Sequence, residues 1–228
     1  MAVPKRGALR QHQGEKVDLA AGQTNPSQQQ TKQQPNGRRL PRKSAMIKPD
    51  LSMVTQAVES LYTDQLKPFG RLLRKRVAEH AIGVLDGTSP AARLPEQLPN
   101  VDAKHLETVC RTSAGFHVKS EEGGDWSVVI VGRSQPFVDI YCGSDVYPAE
   151  LWAAAAAYFE GLPEEQMQLP GGRYSCAQAL LRRRAPFLSG YTLGQACHIV
   201  ELGIALHKIL GYSNGSVVPY IFAAPSRW

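Results

Sequence analysis

The sequence predicts an α+β protein that is mainly helical. A disordered N-terminal tail precedes a winged helix-turn-helix module, and a second helical, winged-helix-like module follows. Three observations support this prediction: the first 47 residues are polar and rich in glutamine, apolar residues then recur at helical spacing, and two later segments have hairpin character. The predicted divisions are a tail at 1–47, the first module at 48–133, a linker or strand at 134–147 and the second module at 148–222.

The net charge is concentrated in the tail. Of the chain's 26 Lys and Arg and 20 Asp and Glu, residues 1–50 hold ten and three, which leaves 16 and 17 for the other 178 residues. Residues 1–47 also contain eight Gln and few large apolar side chains, so burial cannot offset their ordering entropy. The pI of 9.2 therefore reflects the tail, not a basic folded domain.

A compact basic cluster lies within the tail at residues 37–44. Its cationic members are Arg38, Arg39, Arg42 and Lys43. Nuclear-import signals, phosphate-contacting arms and solubilising tails all have this composition, and the sequence leaves these three alternatives open. We expect an intracellular protein, cytoplasmic or nuclear, because the N-terminal segment has no apolar core and no stretch approaches the roughly 18–20 apolar residues of a membrane span.

The first module is predicted to contain three helices. Apolar residues at three- and four-residue steps indicate a helix over 51–62 with Asp50 as its N-cap. Pro68 suits the first turn of a second helix, and a short third helix begins at Asp102 after a proline-rich loop at 83–100. The cationic side chains that lie mostly off the apolar stripe of the second helix are Arg71, Arg74 and Lys75.

A hairpin follows the third helix. Apolar and polar residues alternate from Phe116, a polar turn with two glycines covers 121–125, and a β-branched run begins at Trp126. Residues 137–141 have two interpretations, a further strand or an extended linker. Three helices and a hairpin in this order are typical of a winged helix-turn-helix module.

The second module repeats this order of elements. Residues 148–160 and 174–184 predict two helices, and a capping box at Thr192 and Gln195 starts a third that extends to Gly211. An Asn-Gly turn between apolar flanks then indicates a hairpin. The second helix of each module ends in a similar run, Leu-Leu-Arg-Lys-Arg or Leu-Leu-Arg-Arg-Arg, which suggests a diverged duplication.

Four segments of the first module resemble a known family. Their sequences are Leu66-Lys-Pro-Phe-Gly-Arg-Leu-Leu-Arg-Lys-Arg76, Leu106-Glu-Thr-Val-Cys110, Phe116-His-Val-Lys119 and Val128-Val-Ile-Val131. Together they resemble the OST-type helix-turn-helix family, also called the LOTUS domain, over about residues 50–133. The loop at 83–100 is longer and richer in proline than the corresponding link in that family. Residues 141–228 resemble no family that we recognise.

The resemblance implies a small winged-helix fold that binds RNA or docks onto a DEAD-box RNA helicase. The candidate contacts are the basic residues of the second helix and of the hairpin flank: Arg71, Arg74, Lys75, Arg76, Lys119 and Arg133. Cations along one helix face release counterions from a phosphate backbone, and Arg also stacks on exposed bases. The alternative is that these residues form only the solvated face of an amphipathic helix. The acidic hairpin tip favours either RNA contact elsewhere or a protein partner.

A second candidate surface lies at the end of the fifth predicted helix. It consists of Arg182, Arg183 and Arg184. Three consecutive Arg spread around most of a helix, so at least one is expected to pair with an acid or reach a neighbouring element. The alternative interpretation is a helix C-terminus stabilised by cations.

The sequence predicts no catalysis, cofactor, metal site or small-molecule substrate. The one cluster of nucleophile and base types consists of Cys176, Cys197, His198 and His207. Cys197 lies on an apolar stripe, which predicts a buried thiol, and the two histidines are nine residues apart, outside the spacing of helical zinc pairs. The leading hypothesis is a non-catalytic nucleic-acid-binding protein with RNA favoured, and the alternative is a protein-interaction adaptor.

Overall fold

The computed structural model describes residues 46–83 and 98–223. Residues 1–45 of the predicted tail, including Arg38, Arg39, Arg42 and Lys43, lie outside the described residues, as do residues 84–97 of the predicted proline-rich loop. The described residues belong to one compact unit. They contain six α-helices and two two-stranded sheets, which confirms the mainly helical α+β class.

The first half has the predicted order of elements. These are α1 (Leu51–Thr63), α2 (Gly70–Ala81), α3 (Ala103–Thr112), β1 (Phe116–Ser120) and β2 (Trp126–Ile130). The predicted N-cap is confirmed, since Asp50 accepts a hydrogen bond from the Met53 amide at 2.9 Å. Asp102, where the third helix was expected to begin, is the N-cap of α3 and accepts from the His105 amide at 3.0 Å. β1 and β2 pair antiparallel, with Phe116 opposite Ile130.

The second half repeats the same order. Its elements are α4 (Ala149–Glu160), α5 (Arg173–Arg182), α6 (Leu193–Ala205), β3 (Leu210–Ser213) and β4 (Ser216–Pro219). The capping box at Thr192 and Gln195 is confirmed. Asn214 and Gly215 occupy the hairpin turn with φ of 50° and 80°, the left-handed conformations that an Asn-Gly turn provides.

The start of α2 and the end of α6 differ from the sequence-based expectation. α2 begins at Gly70 with Phe69 as its N-cap, so Pro68 lies before the helix and not in its first turn. α6 ends at Ala205, so the predicted extension to Gly211 is wrong: Lys208 has a φ of 52°, which a continuing helix excludes, and Leu210 begins β3. Residues 137–141 form no strand and are an extended linker with a turn at its end, the second of the two interpretations. Whether the two halves arose by duplication stays a prediction.

Two histidines, His198 in α6 and His207 just after it, hold the segment between β2 and α4 in place. His198 hydrogen-bonds through its two ring nitrogens, to the Cys142 carbonyl at 2.8 Å and to the Tyr147 hydroxyl at 3.0 Å. The Asp145 carboxylate contacts His207 Nε2 and Trp152 Nε1, each at 2.8 Å. The His207 ring also stacks on Trp152 with centroids 3.8 Å apart. Both histidines thus have structural roles in fixing this segment.

Acidification is expected to weaken the Asp145 attachment. Desolvation opposes ionisation of this carboxyl, but hydrogen bonds from the Tyr147 amide, His207 and Trp152 outweigh it and hold the pKa of Asp145 below its ordinary value. Because the pKa is lower in the folded state, the stabilisation is complete above the ordinary pKa and disappears as pH falls through the folded one. We expect Asp145→Asn to lower the Tm at pH 7 by about 2–4 °C, corresponding to about 1 kcal/mol.

The measurement is a series of thermal melts from pH 7 down to pH 3. The Tm difference between wild type and Asp145→Asn should be constant near neutrality and shrink below about pH 4, the region of the ordinary aspartate pKa. Glu59→Gln, at an exposed position inside α1 and away from its first turn, is the matched control and should leave the melting profile unchanged. A Tm difference as large at pH 3 as at pH 7 would contradict the assigned hydrogen bonds.

One hydrophobic core contains side chains from both halves. Leu61 and Leu73 from the first half and Leu180 and Leu202 from the second are at most 1% exposed. Cys197, which was predicted to be a buried thiol, is buried, as are Cys110 and Cys176, whereas Cys142 is only partly buried. Burial is the main cause that raises the pKa of the three buried thiols to about 12. Over 46–83 and 98–223, no helix has both the length and the apolar character to span a membrane.

Candidate nucleic-acid interface

A buried ionic cluster joins α1, α2 and α5 beneath the candidate surface. Arg76 has 0% exposure, and its guanidinium bridges Asp64 Oδ2 at 2.6 Å, the Ser60 hydroxyl and the Tyr174 hydroxyl at 3.2 Å. The Tyr174 hydroxyl donates to Glu79 Oε2 at 2.6 Å. Desolvation acts to lower the pKa of Arg76, but Tyr174 and Asp64 outweigh it and the net shift is upward. Arg76 is therefore a cation of the core.

This position corrects one sequence-based assignment. Arg76 was expected among the phosphate contacts, but a guanidinium without exposed surface cannot meet a phosphate. Its hydrogen bonds are already made to α1 and α5. We remove Arg76 from the candidate surface for this reason.

The remaining cations of α2 form the larger part of a surface that we call the basic stripe: Arg71, Arg74, Lys75 and Arg182. Arg71 and Arg74 lie one turn apart and are exposed. Lys75 is half-buried at the junction with α5, where its Nζ donates to the Ser175 hydroxyl at 2.7 Å and lies 4.4 Å from the Tyr174 ring centroid. The stripe therefore runs from the start of α2 to the side of α5.

Lys75 lies near one acid and two further cations. Burial is the largest cause that lowers the pKa of Lys75; Glu79 opposes it, while Arg182 and Arg76 lower it further through charge repulsion. In the described part of the chain, neither Arg74 nor Arg182 has a carboxylate partner. An anion bound here would relieve the repulsion among these cations.

The acidic hairpin tip is paired with the start of α2. Glu121 contacts Lys67 at 2.7 Å, and its pKa is lowered mainly by hydrogen bonds from Lys67 and Ser127. Asp125 accepts from Arg71 Nε at 3.0 Å, although the Arg71 side chain is still 82% exposed. Two acidic residues of the tip, Glu121 and Asp125, are therefore paired with cations at or just before the start of α2.

The other predicted site residues are dispersed. Lys119 is half-buried in β1, and Arg133 follows β2 with its guanidinium 5.0 Å from the Tyr62 ring centroid. Arg183 reaches a neighbouring element, as the sequence led us to expect, by donating to the Gln166 carbonyl at 2.8 Å. Arg184 has a φ of 52°. None of these four belongs to the basic stripe.

The Arg182–Arg184 run owes its spread to the way in which α5 ends. The Arg184 amide bonds the Leu181 carbonyl at 2.9 Å and the Ala185 amide bonds the Leu180 carbonyl at 3.1 Å, the pattern of a Schellman motif. Arg184 takes the left-handed position that Gly usually fills. The three side chains consequently leave the helix in different directions, and only Arg182 joins the stripe.

Two further residues, Tyr141 and Arg173, lie beside the stripe, and Tyr141 was not among the sequence-based candidates. Tyr141, in the linker after β2, is 67% exposed. The Arg173 guanidinium lies 5.5 Å from the Tyr141 ring centroid and forms an ion pair with Glu201. The hydrogen bond to Glu201 is the largest cause that raises the pKa of Arg173. No local sequence pattern relates Tyr141 to Arg173, because the fold alone brings them together.

One known domain family matches the part of the chain that contains α5 and α6. Residues 163–224 match the OST-HTH Associated domain. The OST-HTH Associated segment includes α5, α6 and the β3–β4 hairpin, and it therefore supplies Arg173, Ser175 and Arg182. The match is consistent with the resemblance of residues 50–133 to the OST-type helix-turn-helix family, since this domain is named for its association with it. No curated protein and no solved structure matches the chain.

The match also narrows the kind of function. The OST-type helix-turn-helix family is a family of binding domains and is not known as catalytic. A LOTUS-type module for RNA or protein binding is the functional class that the OST-HTH Associated segment supports. The OST-HTH Associated segment meets α2 at the hydrogen bond from Lys75 to Ser175.

Proposed function

We propose that the chain binds RNA, without catalysis, through the basic stripe. The main support is the placement of Arg74 and Arg182, two exposed guanidiniums from different helices that flank Lys75 and have no carboxylate partner in the described ranges. Cations arranged in this way displace counterions from a phosphate backbone. The guanidiniums can also stack on unpaired bases.

RNA is favoured over DNA by the family findings and not by the charges. Phosphate contacts alone do not discriminate between nucleic acids. The OST-type resemblance of the first half and the OST-HTH Associated segment of the second half border the same stripe. The basic cluster of the tail, whose residues lie outside the described ranges, would add salt-sensitive affinity of the same electrostatic kind.

The first test is a salt titration of RNA binding by fluorescence anisotropy. We expect the full chain carrying Arg74→Gln and Arg182→Gln to bind a structured RNA several-fold more weakly than wild type at low salt. The slope of log Kd against log salt should fall by about 0.7–0.9 for each lost phosphate contact. A third substitution, Lys75→Gln, should lower the slope again.

The control matches the change in net charge. Lys104→Gln with Arg111→Gln removes two cations from α3, where Lys104 is exposed and Arg111 pairs with Glu107 of the same helix. This pair should leave both Kd and slope close to the wild-type values. Equal losses from the two pairs would overturn the proposal, because binding would then depend on net charge and the tail.

A protein-docking function is the second candidate. Its support is an exposed apolar group at the end of the OST-HTH Associated segment, Tyr220, Ile221 and Phe222, of which Ile221 is 80% exposed. Exposed apolar groups of this kind are typical of protein interaction sites. The helicase partner implied by the OST-type resemblance belongs to this candidate. The protein-docking function gains support if the wild-type chain binds no RNA at low salt.

A further inference from the structure

A groove adjoins the basic stripe between the two halves of the compact unit. Its volume is about 730 Å³, which lies within the roughly 300–1,000 Å³ range of ligand pockets. The hairpin tip, the start of α2, the linker at 137–141 and the start of α5 surround it. The lining side chains used below are Phe69, Arg71, Leu72, Tyr141, Arg173 and Tyr174.

The groove contains an exposed aromatic ring beside a guanidinium that an ion pair holds in place. The Tyr141 amide donates to Asp139 Oδ1 at 3.1 Å, which sets the backbone of the linker. The Arg173 guanidinium is held by Glu201 and lies 5.5 Å from the Tyr141 ring centroid and 5.9 Å from that of Tyr212. Tyr141 nevertheless remains 67% exposed, so its ring presents open surface to a ligand. Because the linker backbone and the Arg173 guanidinium are already held in place, stacking of a ligand there costs little of the protein's conformational entropy.

The charges favour a neutral planar group in the groove. Lys67, Arg71 and Arg173 each pair with a carboxylate, at Glu121, Asp125 and Glu201 respectively. The cations without such partners, Arg74 and Arg182, belong to the neighbouring stripe. Anionic groups are therefore better placed on the stripe, and an uncharged aromatic group is better placed against Tyr141.

The groove and the stripe are continuous. Arg71 belongs to both, and Ser175, which lines the groove, accepts the hydrogen bond from Lys75. A ligand with a flat neutral group and a chain of anions would occupy both at once. A single-stranded nucleic acid has this chemistry, because its bases are free to leave the stack while its phosphates stay on the cationic surface.

We propose that this groove holds an unstacked base of a single-stranded RNA segment, with the Tyr141 ring as the stacking surface. This proposal rests on the proposed function and narrows its substrate class to single strands, loops and bulges. A continuous duplex offers its phosphates to the stripe but keeps its bases stacked and out of reach. The groove therefore gives the full chain a preference for unpaired RNA.

The test compares two forms of one RNA on the full chain. The probe is a single strand of about 12 nucleotides, within the roughly 4–16 nucleotides that stacking proteins cover, and the same strand annealed to its complement. Tyr141→Ala is expected to weaken single-strand binding by about tenfold, while duplex binding and the salt slope remain unchanged. Tyr141→Phe should retain wild-type affinity because the ring is kept.

Controls separate this proposal from the function on which it rests. Val146→Ala truncates another exposed apolar side chain, 76% exposed and outside the groove, and should have no effect. If Arg74→Gln with Arg182→Gln weakens both RNA forms while Tyr141→Ala affects neither, RNA binding stands and the groove proposal is overturned. If wild type binds neither form, both proposals fail. Equal losses from Tyr141→Ala on single strand and duplex also overturn the base-stacking role.

Discussion

Arg76→Ala is expected to lower the free energy of unfolding by about 3–5 kcal/mol, the cost of removing one partner from a buried ion pair. The substitution leaves Glu79, whose side chain has 0% exposure, without its cationic neighbour. It also removes the hydrogen bond that Arg76 Nε donates to the Tyr174 hydroxyl. Asp64 keeps 29% exposure and can rehydrate, so the main cost falls on Glu79. Urea denaturation followed by circular dichroism measures this change.

Two variants make the Arg76 measurement specific. Arg74→Ala removes an exposed cation from the same helix and should change the free energy of unfolding by less than about 0.5 kcal/mol. Tyr174→Phe keeps the ring and removes only the hydroxyl between Arg76 and Glu79, so its cost should be smaller, about 1–3 kcal/mol. A loss of under 1 kcal/mol for Arg76→Ala would contradict the buried cluster.

The elements of the fold could be predicted because their signals are local. Asp50 and Asp102 lie directly before apolar stripes of helical period, and each caps its helix. Thr192 and Gln195 form a complete capping box within four residues. An Asn-Gly pair selects its turn through its own left-handed conformations, whatever the rest of the chain does. These features depend on residues a few positions apart, so tertiary packing does not alter them.

The burial of Arg76 could have been inferred in part. Arg76 follows Leu73 by three residues and precedes Val77, and both of these side chains have 0% exposure, so helical spacing places Arg76 on the buried face of α2. Its partner Tyr174 lies 98 residues further along the chain, however, and no periodicity indicates this contact. The charge alone suggested a surface residue because buried Arg is rare without compensation.

The candidate site combines a predictable and an unpredictable part. Arg71, Arg74 and Lys75 share one side of a single helix, and helical spacing was sufficient to group them. Arg182 joins them only because α5 packs against α2, which the Lys75–Ser175 hydrogen bond across 100 residues reflects. The same long-range packing creates the Tyr141 groove. A surface formed by a single helix can therefore be predicted from this sequence. A surface formed where the two halves pack together cannot.

Gly194→Ala is expected to destabilise the chain by about 2–3 kcal/mol, because it forces apart two tightly packed backbones. The Gly194 amide donates to the Asp64 carbonyl at 2.8 Å, which fixes the first turn of α6 against the α1–α2 corner. A Cβ at this position would lie 2.7 Å from the carbonyl oxygens of both Asp64 and Gln65. Main-chain atoms cannot rotate away as a flexible side chain does, so α6 must shift.

The same helix offers a control of opposite sign. A Cβ on Gly203 would meet only Leu210 Cδ1 at 3.8 Å, an ordinary van der Waals contact. Gly203→Ala should therefore stabilise the chain by about 0.5–1 kcal/mol, because alanine loses less backbone freedom in a helix. Thermal melts of the two variants should move in opposite directions from wild type. If both substitutions raise the Tm, helix propensity governs both positions, and α6 does not pack on the α1–α2 corner as closely as the structure indicates.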